Sequence, residues 1–308
     1  GVPISDPDLA DPLRFILSRG GASASRVFTK ICLALLGCFD WHSLPSLPPW
    51  FVLLPASYLT SIYEMASWAR ASVVPLTILF DKKPIFRVRV GSSATATHIN
   101  LDELFVEGSF RDAVNLMPSL SRELGWRGNM FVVVDYMLKT LERLGWVPFR
   151  QRGLLAAEKW VLEHQEDTGE WSFLPPTFYS ILALHTLGYP VTDPVIERGL
   201  DAIASFSVEM PDVYHAQACT SPVWDTAHTI RSLVESGVPP DHPALRHAAT
   251  WLLKKQILQP GDWFFKNPTN RTGAWAFEFF NRWYPDVDDS AVVVMALDLV
   301  CLPPAQEP

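Results

Sequence analysis

Apolar residues recur along most of this chain at the three- and four-residue spacing of α-helices. A pair of glycines interrupts the first of these stretches, as expected where one helix ends and another begins. The stretches with helical spacing are residues 7–38, 62–80, 101–106, 110–120 and 130–144. The pattern predicts an all-α protein.

Two segments depart from the helical pattern. Residues 44–55 contain four prolines, which remove hydrogen-bond donors and restrict the residue before them, so we predict an extended segment. Residues 81–100 mix basic and small polar residues, and we expect a loop on the surface.

A repeat emerges after residue 150. Each unit contains an apolar helix, a Gly-Pro turn, a second helix and a loop with glutamine, glycine and tryptophan. The loop residues are Gln165, Gly169 and Trp171 in the first unit and Gln256, Gly261 and Trp263 in the second. A third unit begins at Asp289, in the place of Asp225 in the preceding one. We interpret the loops as structural ties, in which glutamine bonds one helix end and tryptophan covers the next helix.

Helix pairs that each leave one apolar face uncovered must stack on their neighbours. The repeat therefore predicts α/α toroids, here two barrels of which the second is incomplete. Because the repeat register changes across the connection 205–221, we expect residues 1–220 to form one helical barrel. Residues 221–308 are then the first part of a second barrel.

The composition excludes some classes of function. A net charge of -8 without a basic cluster argues against nucleic acid as a partner. The cysteines have no CxxC spacing and lie mostly among apolar residues, so we predict reduced core residues of an intracellular protein. They are Cys32, Cys38, Cys219 and Cys301. Twelve Trp and eighteen Phe are more than a core needs, which indicates an aromatic-lined cavity or interface.

One short stretch concentrates candidate chemistry. Asp286, Asp288 and Asp289 lie between an aromatic run, which ends at Tyr284, and an apolar helical pattern that begins at Ala291. Apolar surroundings and neighbouring carboxylates both raise the pKa of a carboxyl group, so one of the three can hold a proton near neutral pH. The simpler alternative is a helix N-cap at Asp289 or Ser290 with the other aspartates exposed.

A dry cluster of carboxyl groups beside aromatic rings suits the protonation of an alkene. The resulting carbocation is very unstable, and nucleophilic side chains would trap it. Aromatic faces attract a cation without bonding to it, each by about 0.5–2 kcal/mol. An apolar wall can also fold a flexible polyene into a reactive conformation.

These motifs together resemble the squalene–hopene cyclases, which are class II, protonation-initiated terpene cyclases. The resemblance covers residues 8–308, but only the middle of the family's chain. It rests on several motifs in the same order. They are the stretch 62–70, Gln165…Gly169…Trp171, Ser221–Thr226, Gly261-Asp262-Trp263, Ala274–Phe279 and Tyr284–Ser290.

The resemblance implies the cyclisation of a linear, squalene-like polyprene without metal or cofactor. It makes Asp288 the proton donor and Asp286 and Asp289 its tuning partners. The positions implied to line the substrate cavity are Trp68, Trp224, Phe277, Phe173, Leu174 and Pro175. Hopene-forming members carry glutamine where this chain has Leu174, which leaves the product open. The histidine with which the family polarises the acid lies beyond the part that this sequence covers.

The resemblance also implies where the protein works and with what. A triterpene-sized hydrocarbon must come from a bilayer, so we expect a cytoplasmic, peripheral protein that contacts the membrane from one side, for which the apolar segment 50–63 is the candidate. We expect either a C-terminal half or a second chain to complete the enzyme. Two alternatives stay open: a non-catalytic scaffold half, and a zinc-dependent prenyltransferase-like toroid, for which no convincing ligand set is visible.

Overall fold

The computed structural model describes residues 7–90, 97–106, 108–109, 120–211, 213–268 and 271–302. Its α-helices are α1 (Pro7–Ser18), α2 (Val27–Leu35), α3 (Ser67–Lys82), α4 (Gly125–Arg143), α5 (Arg150–Glu163), α6 (Leu174–Leu187), α7 (Pro194–Ser205), α8 (Pro222–Glu235), α9 (Pro243–Lys254) and α10 (Val287–Leu297). Two antiparallel hairpins, β1 (Arg89–Val90) with β2 (Thr97–His98) and β3 (Ser207–Met210) with β4 (Val213–Ala216), are the sheets in these residues. The predicted all-α fold is confirmed.

The helices follow the hydrophobic pattern with local exceptions. The glycine pair separates α1 from α2 as predicted, and α3 and α4 lie where the period is strong. Residues 101–106 form only a short 3-10 helix, Asp102–Leu104, so the helix predicted there is wrong. Residues 110–119, for which a helix was also predicted, lie outside the described residues. The proline-rich segment contains a 3-10 helix, Pro49–Leu53, and is not extended throughout.

The chain divides into two compact units. The first comprises Gly1–Pro48 and Leu79–Arg150, and the second comprises Pro49–Ile78 and Gln151–Pro308. This division does not coincide with the predicted barrels 1–220 and 221–308, whose boundary stays a prediction. In the first unit Trp41 packs edge-on against Phe80, with ring centroids 5.3 Å apart, and donates its indole N–H to Pro84 O.

The second unit contains the helical repeats. Helix α6 packs on α7, and α8 packs on both α9 and α10. The core between α8, α9 and α10 consists of fully buried aliphatic side chains around Trp275. Its members are Val223, Ala227, Ile230, Leu245, Ala249, Leu252, Trp275, Val293, Ala296, Leu297, Val300 and Leu302. The N-terminal ends of α6, α8 and α10 carry most of the residues that the sequence singles out.

The second repeat loop contains a different glycine and tryptophan from those predicted. Gln165 Nε2 donates to Gly169 O and to Val195 O in the first turn of α7, which ties the first loop to the next helix as predicted. In the second loop, however, Gln256 Nε2 donates to Gly273 O. The tryptophan of this loop is therefore Trp275 and not Trp263.

The indole contacts agree with this register. Trp171 donates its indole N–H to Val161 O of α5, and Trp275 donates the equivalent bond to Leu252 O of α9, both at 2.6 Å. Thr177 and Ser290 hydroxyls accept the backbone N–H groups of these two tryptophans. An additional segment, residues 257–272, separates glutamine from glycine in the second loop and hides the true repeat from a spacing argument.

The cysteine prediction is only partly right. None of the four cysteines, all of which the structure describes, forms a disulfide, but only Cys38 is buried, whereas Cys32, Cys219 and Cys301 are exposed. The apolar neighbours of Cys32 and Cys301 are buried in their place, and those neighbours are Ile31, Leu33, Val300 and Leu302. None of the described helices is long and apolar enough to cross a membrane.

Candidate active site

The acidic turn is fixed by backbone and hydroxyl contacts at the start of α10. Asp286 is the N-cap, and its carboxylate accepts the backbone N–H groups of Asp288 at 2.8 Å and Asp289 at 3.3 Å. The N–H of Asp286 donates to Trp275 O at 2.8 Å, which holds the turn against the core. The helix therefore begins earlier than it would with Asp289 or Ser290 as the N-cap, so this simpler alternative is wrong about the cap.

The three aspartates occupy different surroundings. Asp286 and Asp288 are exposed, whereas Asp289 is 3% exposed. Within the described part of the chain, Asp289 Oδ1 is buried and has no hydrogen-bond partner. Burial first, and then the charges of Asp286, Glu278 and Asp288, raise the pKa of Asp289 to about 7. Asp289 is thus the aspartate whose surroundings favour a bound proton near neutral pH.

A half-buried glutamate that the sequence analysis missed lies beside this turn. Glu278 accepts hydrogen bonds from Ser172 Oγ at 3.1 Å and from Asn281 Nδ2 at 3.0 Å, and burial raises its pKa. Its carboxyl joins the loop before α6 to the aromatic run before α10. A single acidic residue within Trp275–Phe280 was the signal in the sequence.

Burial and the charge of neighbouring carboxylates raise the pKa of Glu166 to about 8, against the opposing effect of Arg282.

The apolar candidates lie at the starts of helices. Phe173 precedes α6, Leu174 and Pro175 open it, and Leu174 N donates to Ala218 O at 2.9 Å. The bond between Ser172 and Glu278 brings this stretch close to Phe277, the neighbour of Glu278 in the chain.

Two further aromatic candidates lie in the first turns of other helices. Trp224 opens α8 and packs on His228 with ring centroids 4.5 Å apart. Trp68 opens α3 and is 53% exposed. Among the described residues, no ring contact or hydrogen bond joins Trp68 or Trp224 to the acidic turn. The structure therefore links Phe277 and residues 173–175 to the acidic turn through Glu278, whose charge acts on Asp289, and leaves the two tryptophans at separate helix starts.

A second polar cluster, which we call the Asp262 cluster, is buried in the same unit. It consists of Arg70, His164, Asp262 and Tyr284, with the rings of Tyr63, Trp160 and Trp283 around them. Arg70 Nη1 lies 2.8 Å from Asp262 Oδ2, and His164 Nε2 lies 3.1 Å from Asp262 Oδ1. Burial works against the carboxylate, but His164 and Arg70 outweigh it and lower the pKa of Asp262.

Sequence reasoning did not find the Asp262 cluster as a unit. Its members come from four separate segments, and Asp262 was noted only as part of the Gly261-Asp262-Trp263 motif. Arg70, at 5% exposure, is an arginine inside an otherwise apolar helical stretch, which was the available signal. Within the described ranges no three His, Cys, Asp or Glu side chains are grouped so that they could hold a metal ion.

Comparison with known proteins gives one consistent family. Residues 1–212 match the squalene-hopene cyclase N-terminal domain, and residues 220–307 match the squalene-hopene cyclase C-terminal domain. The chain is 55% identical over 303 residues to dammaradiene synthase of Dryopteris crassirhizoma, with 98% of this chain and 43% of that protein covered. It is 36% identical over 305 residues to squalene–hopene cyclase of Alicyclobacillus acidocaldarius, covering 98% of this chain and 46% of that protein.

The chain thus spans less than half the length of these two relatives. The matched residues include the helical repeats, the acidic turn and the aromatic run that carried the resemblance in the sequence. On these grounds the chain belongs to the squalene–hopene cyclase family.

Proposed function

We propose that the full-length protein containing this chain cyclises a linear, squalene-like polyprene to a polycyclic triterpene, beginning with protonation of an alkene at the acidic turn. The observation that carries the proposal is the buried, unpartnered Oδ1 of Asp289, whose carboxyl group has a pKa of about 7 beside two further aspartates. A protonated carboxyl in a dry site is the group that alkene protonation requires.

The three aspartates divide the work in this proposal. Asp288 is exposed and can touch a substrate, so it is the proton donor that the family resemblance implies. Asp289 is buried and keeps a proton in the cluster, and Asp286 holds the turn through the two backbone N–H groups. Because the groups interact, the proton belongs to the cluster and not to one residue.

The acid assignment is tested in the full-length protein with squalene and gas chromatography. Asp288→Asn should abolish turnover and leave the fold intact, since the amide is nearly isosteric but cannot deliver the proton. Asp225→Asn, at an exposed position in the first turn of α8, is the control for loss of one carboxylate and should turn over substrate. Undiminished turnover by Asp288→Asn would end the assignment.

The aromatic candidates act after the first proton transfer. We propose that Trp68, Trp224 and Phe277 face the growing carbocation and that Phe173, Leu174 and Pro175 border the place where the reaction ends. Trp224→Ala and Phe277→Ala should retain turnover but release incompletely cyclised products, because each variant removes cation stabilisation of about 0.5–2 kcal/mol. Unchanged product patterns would show that these rings only pack.

We propose that the reaction ends by loss of a proton and not by capture of water. A relative with 55% identity is named for a diene, and a carbocation gives an alkene by releasing a proton. Leu174, at the end of the site, can hold no water by hydrogen bonding. The substrate gains one proton and loses one, so the product is an isomer. Leu174→Gln should raise the share of alcohol among the products, and an unchanged share would contradict this ending.

We further propose that α4 contacts the membrane from which the substrate arrives. The exposure of this helix is the reverse of the usual pattern, with apolar side chains in solvent and a charged pair on the buried side. The exposed fractions are 73% for Trp126, 65% for Phe131 and 59% for Met137. On the buried side, Lys139 pairs with Asp135. An apolar cavity of about 690 Å³ lies along the same helix, lined by Leu120, Val132, Val133, Tyr136, Met137, Thr140 and Leu141. The segment 50–63, for which the sequence predicts the membrane contact, exposes chiefly Tyr58 and Leu59.

Flotation of the full-length protein with phosphatidylcholine vesicles tests the membrane contact. The Phe131→Glu/Met137→Glu variant should stay at the bottom of the gradient, since charges resist burial among lipid chains. Leu59→Glu should float like the wild type. The reverse pattern would assign the contact to segment 50–63, and a wild type that ignores vesicles would rule out both.

A further inference from the structure

We infer that the Asp262 cluster is a positioning device that fixes the acidic turn and Trp68 in the same compact unit, and this rests on the proposed function. None of its four polar members is among the candidate catalytic or cavity-lining residues. The argument begins with how completely the cluster is buried and satisfied.

Asp262 is 2% exposed, and both of its carboxylate oxygens have partners. Oδ1 faces His164 Nε2 at 3.1 Å, and Oδ2 accepts from Arg70 Nη1 at 2.8 Å and from the Tyr284 hydroxyl at 3.4 Å. A buried carboxylate with one fixed set of donors has few alternative positions, since any shift leaves a charged group unpaired.

The two basic side chains that contact Asp262 are held just as firmly. Arg70 Nε and Nη2 donate to Ile62 O and Met65 O, and its guanidinium lies over the rings of Tyr63 and Tyr284. The His164 ring is stacked between Trp160 and Trp283, with centroids 3.8 and 4.1 Å away.

Both ring nitrogens of His164 have polar partners. His164 Nδ1 lies 2.8 Å from Trp160 O, and Nε2 lies 3.1 Å from Asp262 Oδ1. Arg70, His164 and Tyr284 thus all contact the Asp262 carboxylate, which makes Asp262 the centre of the cluster.

The cluster meets the proposed active site at two points. Arg70 lies in the first turns of α3, two residues after Trp68. Tyr284 and Trp283 directly precede the turn that carries Asp286. Asp262 therefore connects the helix that presents an aromatic candidate with the segment that presents the acid.

Asp262 belongs to the segment 257–272, which the first repeat loop lacks. The backbone of this segment lies close to the residues that lead into the acidic turn, because a Cβ on Gly261 would come within 2.9 Å of Arg282 O and Trp283 O. The first repeat closes its loop without such a segment. The additional residues thus bring a charged group to the one repeat boundary that leads into the acidic turn.

The test replaces the ion pair by an apolar pair in the full-length protein. Asp262→Asn leaves Arg70 buried without its carboxylate and can prevent folding, so the decisive variant is the double replacement Arg70→Met/Asp262→Leu, which leaves no fixed charge unpaired at the site. Apolar replacement of both partners of a buried ion pair is often neutral or stabilising. Arg150→Met/Asp81→Leu, which replaces both partners of an ion pair in the other unit in the same way, is the control for loss of an ion pair.

Two measurements separate positioning from general stability. Hydrogen exchange of the amides in residues 284–289 should become faster by about tenfold in the double variant, while its thermal midpoint stays near that of the wild type. Squalene turnover should fall by about tenfold or more with KM nearly unchanged, because a misplaced acid slows chemistry more than binding. Arg150→Met/Asp81→Leu should change neither quantity.

The outcomes are distinct. Wild-type exchange in the double variant overturns the inference, and so does wild-type turnover despite faster exchange. If the double variant does not fold, His164→Gln, which keeps the Arg70–Asp262 pair, takes its place with the same two readings. A wild-type protein without turnover contradicts the proposed function, while the exchange measurement still decides whether the cluster orders the turn.

Discussion

At the scale of single residues, the acidic turn places three identical side chains in three surroundings. Asp286 caps α10 and is exposed, Asp288 is exposed without being the cap, and Asp289 is buried with one oxygen that has no partner among the described residues. Three identical side chains therefore differ in exposure and in hydrogen bonding. The roles that we propose for them rest on these differences.

The raised pKa of Asp289 predicts a pH dependence of stability. Between about pH 4 and pH 7 the folded protein holds a proton on Asp289 that the unfolded chain has released, because the pKa rises from 3.8 to about 7 on folding. The contribution of this group to the free energy of unfolding therefore falls as pH rises through this window.

Asp289→Asn removes the titrating group and should stabilise the protein at pH 8 by roughly 2–4 kcal/mol relative to the wild type. Near pH 4 the two proteins should be nearly equal. Urea unfolding at both pH values measures the difference, and Asp225→Asn, at an exposed site, should give no such change. Equal stability of Asp289→Asn and wild type at pH 8 would contradict the raised pKa.

At the scale of elements, the repeat loops bind neighbouring helices through their indole groups. Trp171 and Trp275 each donate to a carbonyl at the end of the preceding helix. Trp263 has a buried indole nitrogen without a partner within the described residues. The hydrogen bonds, and not the sequence spacing, define which tryptophans are equivalent.

This register predicts unequal effects of the same substitution. Trp275→Phe removes the indole donor to Leu252 O, which then keeps only the backbone N–H of Lys255. It should lower the free energy of unfolding by about 0.5–1.5 kcal/mol more than Trp263→Phe, which removes a nitrogen that had no acceptor among the described residues. Denaturant unfolding of the two variants provides the comparison. A larger loss for Trp263→Phe would restore the repeat register read from the sequence.

A matched pair of glycines tests how closely the first loop packs. Gly169 and Gly188 both have positive φ, at 98° and 109°, so alanine strains the backbone at either site. A Cβ on Gly169 would lie 2.3 Å from Arg198 O in α7, whereas a Cβ on Gly188 meets nothing within 4 Å.

Gly188→Ala should therefore cost about 1–2 kcal/mol of unfolding free energy, which is the price of strain alone. Gly169→Ala should cost clearly more, because α7 must move away from the loop. Thermal unfolding of both variants is the measurement. Equal losses would show that the loop and α7 can separate without penalty.

At the scale of the whole molecule, the compact units and the predicted barrels divide the chain at different residues. The compact units join residues 49–78 to residues 151–308. The predicted barrels divide the chain at residue 220, and the family matches end at 212 and resume at 220. The boundary between two sequence domains and the boundary between two compact units need not coincide, because a segment can pack into the core of a domain that comes later in the chain.

Splitting the gene tests the predicted boundary. Residues 1–220 and the remainder, expressed as two chains, should co-purify, because the cut falls between predicted barrels and after the hairpin β3–β4. A cut after Ile181, inside α6, should not reassemble, since it exposes the buried face of that helix. Reassembly in both cases, or in neither, would leave no support for a boundary at 220.

The sequence by itself determined the helical fold, most helix positions, the candidate aromatics and the acidic turn. These features are local: apolar spacing sets a helix face, and three aspartates among aromatic residues are visible without coordinates. It misplaced the second repeat loop, because the additional residues 257–272 supply a false glycine and tryptophan at the expected distance.

Only the tertiary structure decided which aspartate is buried, that Glu278 joins the loop before α6 to the aromatic run, and that Asp262 gathers Arg70 and His164. Burial and charge contact depend on segments that are far apart in the chain, as Arg70 and Asp262 are. A pKa likewise reflects all the charges around a group in space. Residue spacing in the sequence therefore identifies the residue types of the site, but not the burial and the neighbouring charges that distinguish one aspartate from another.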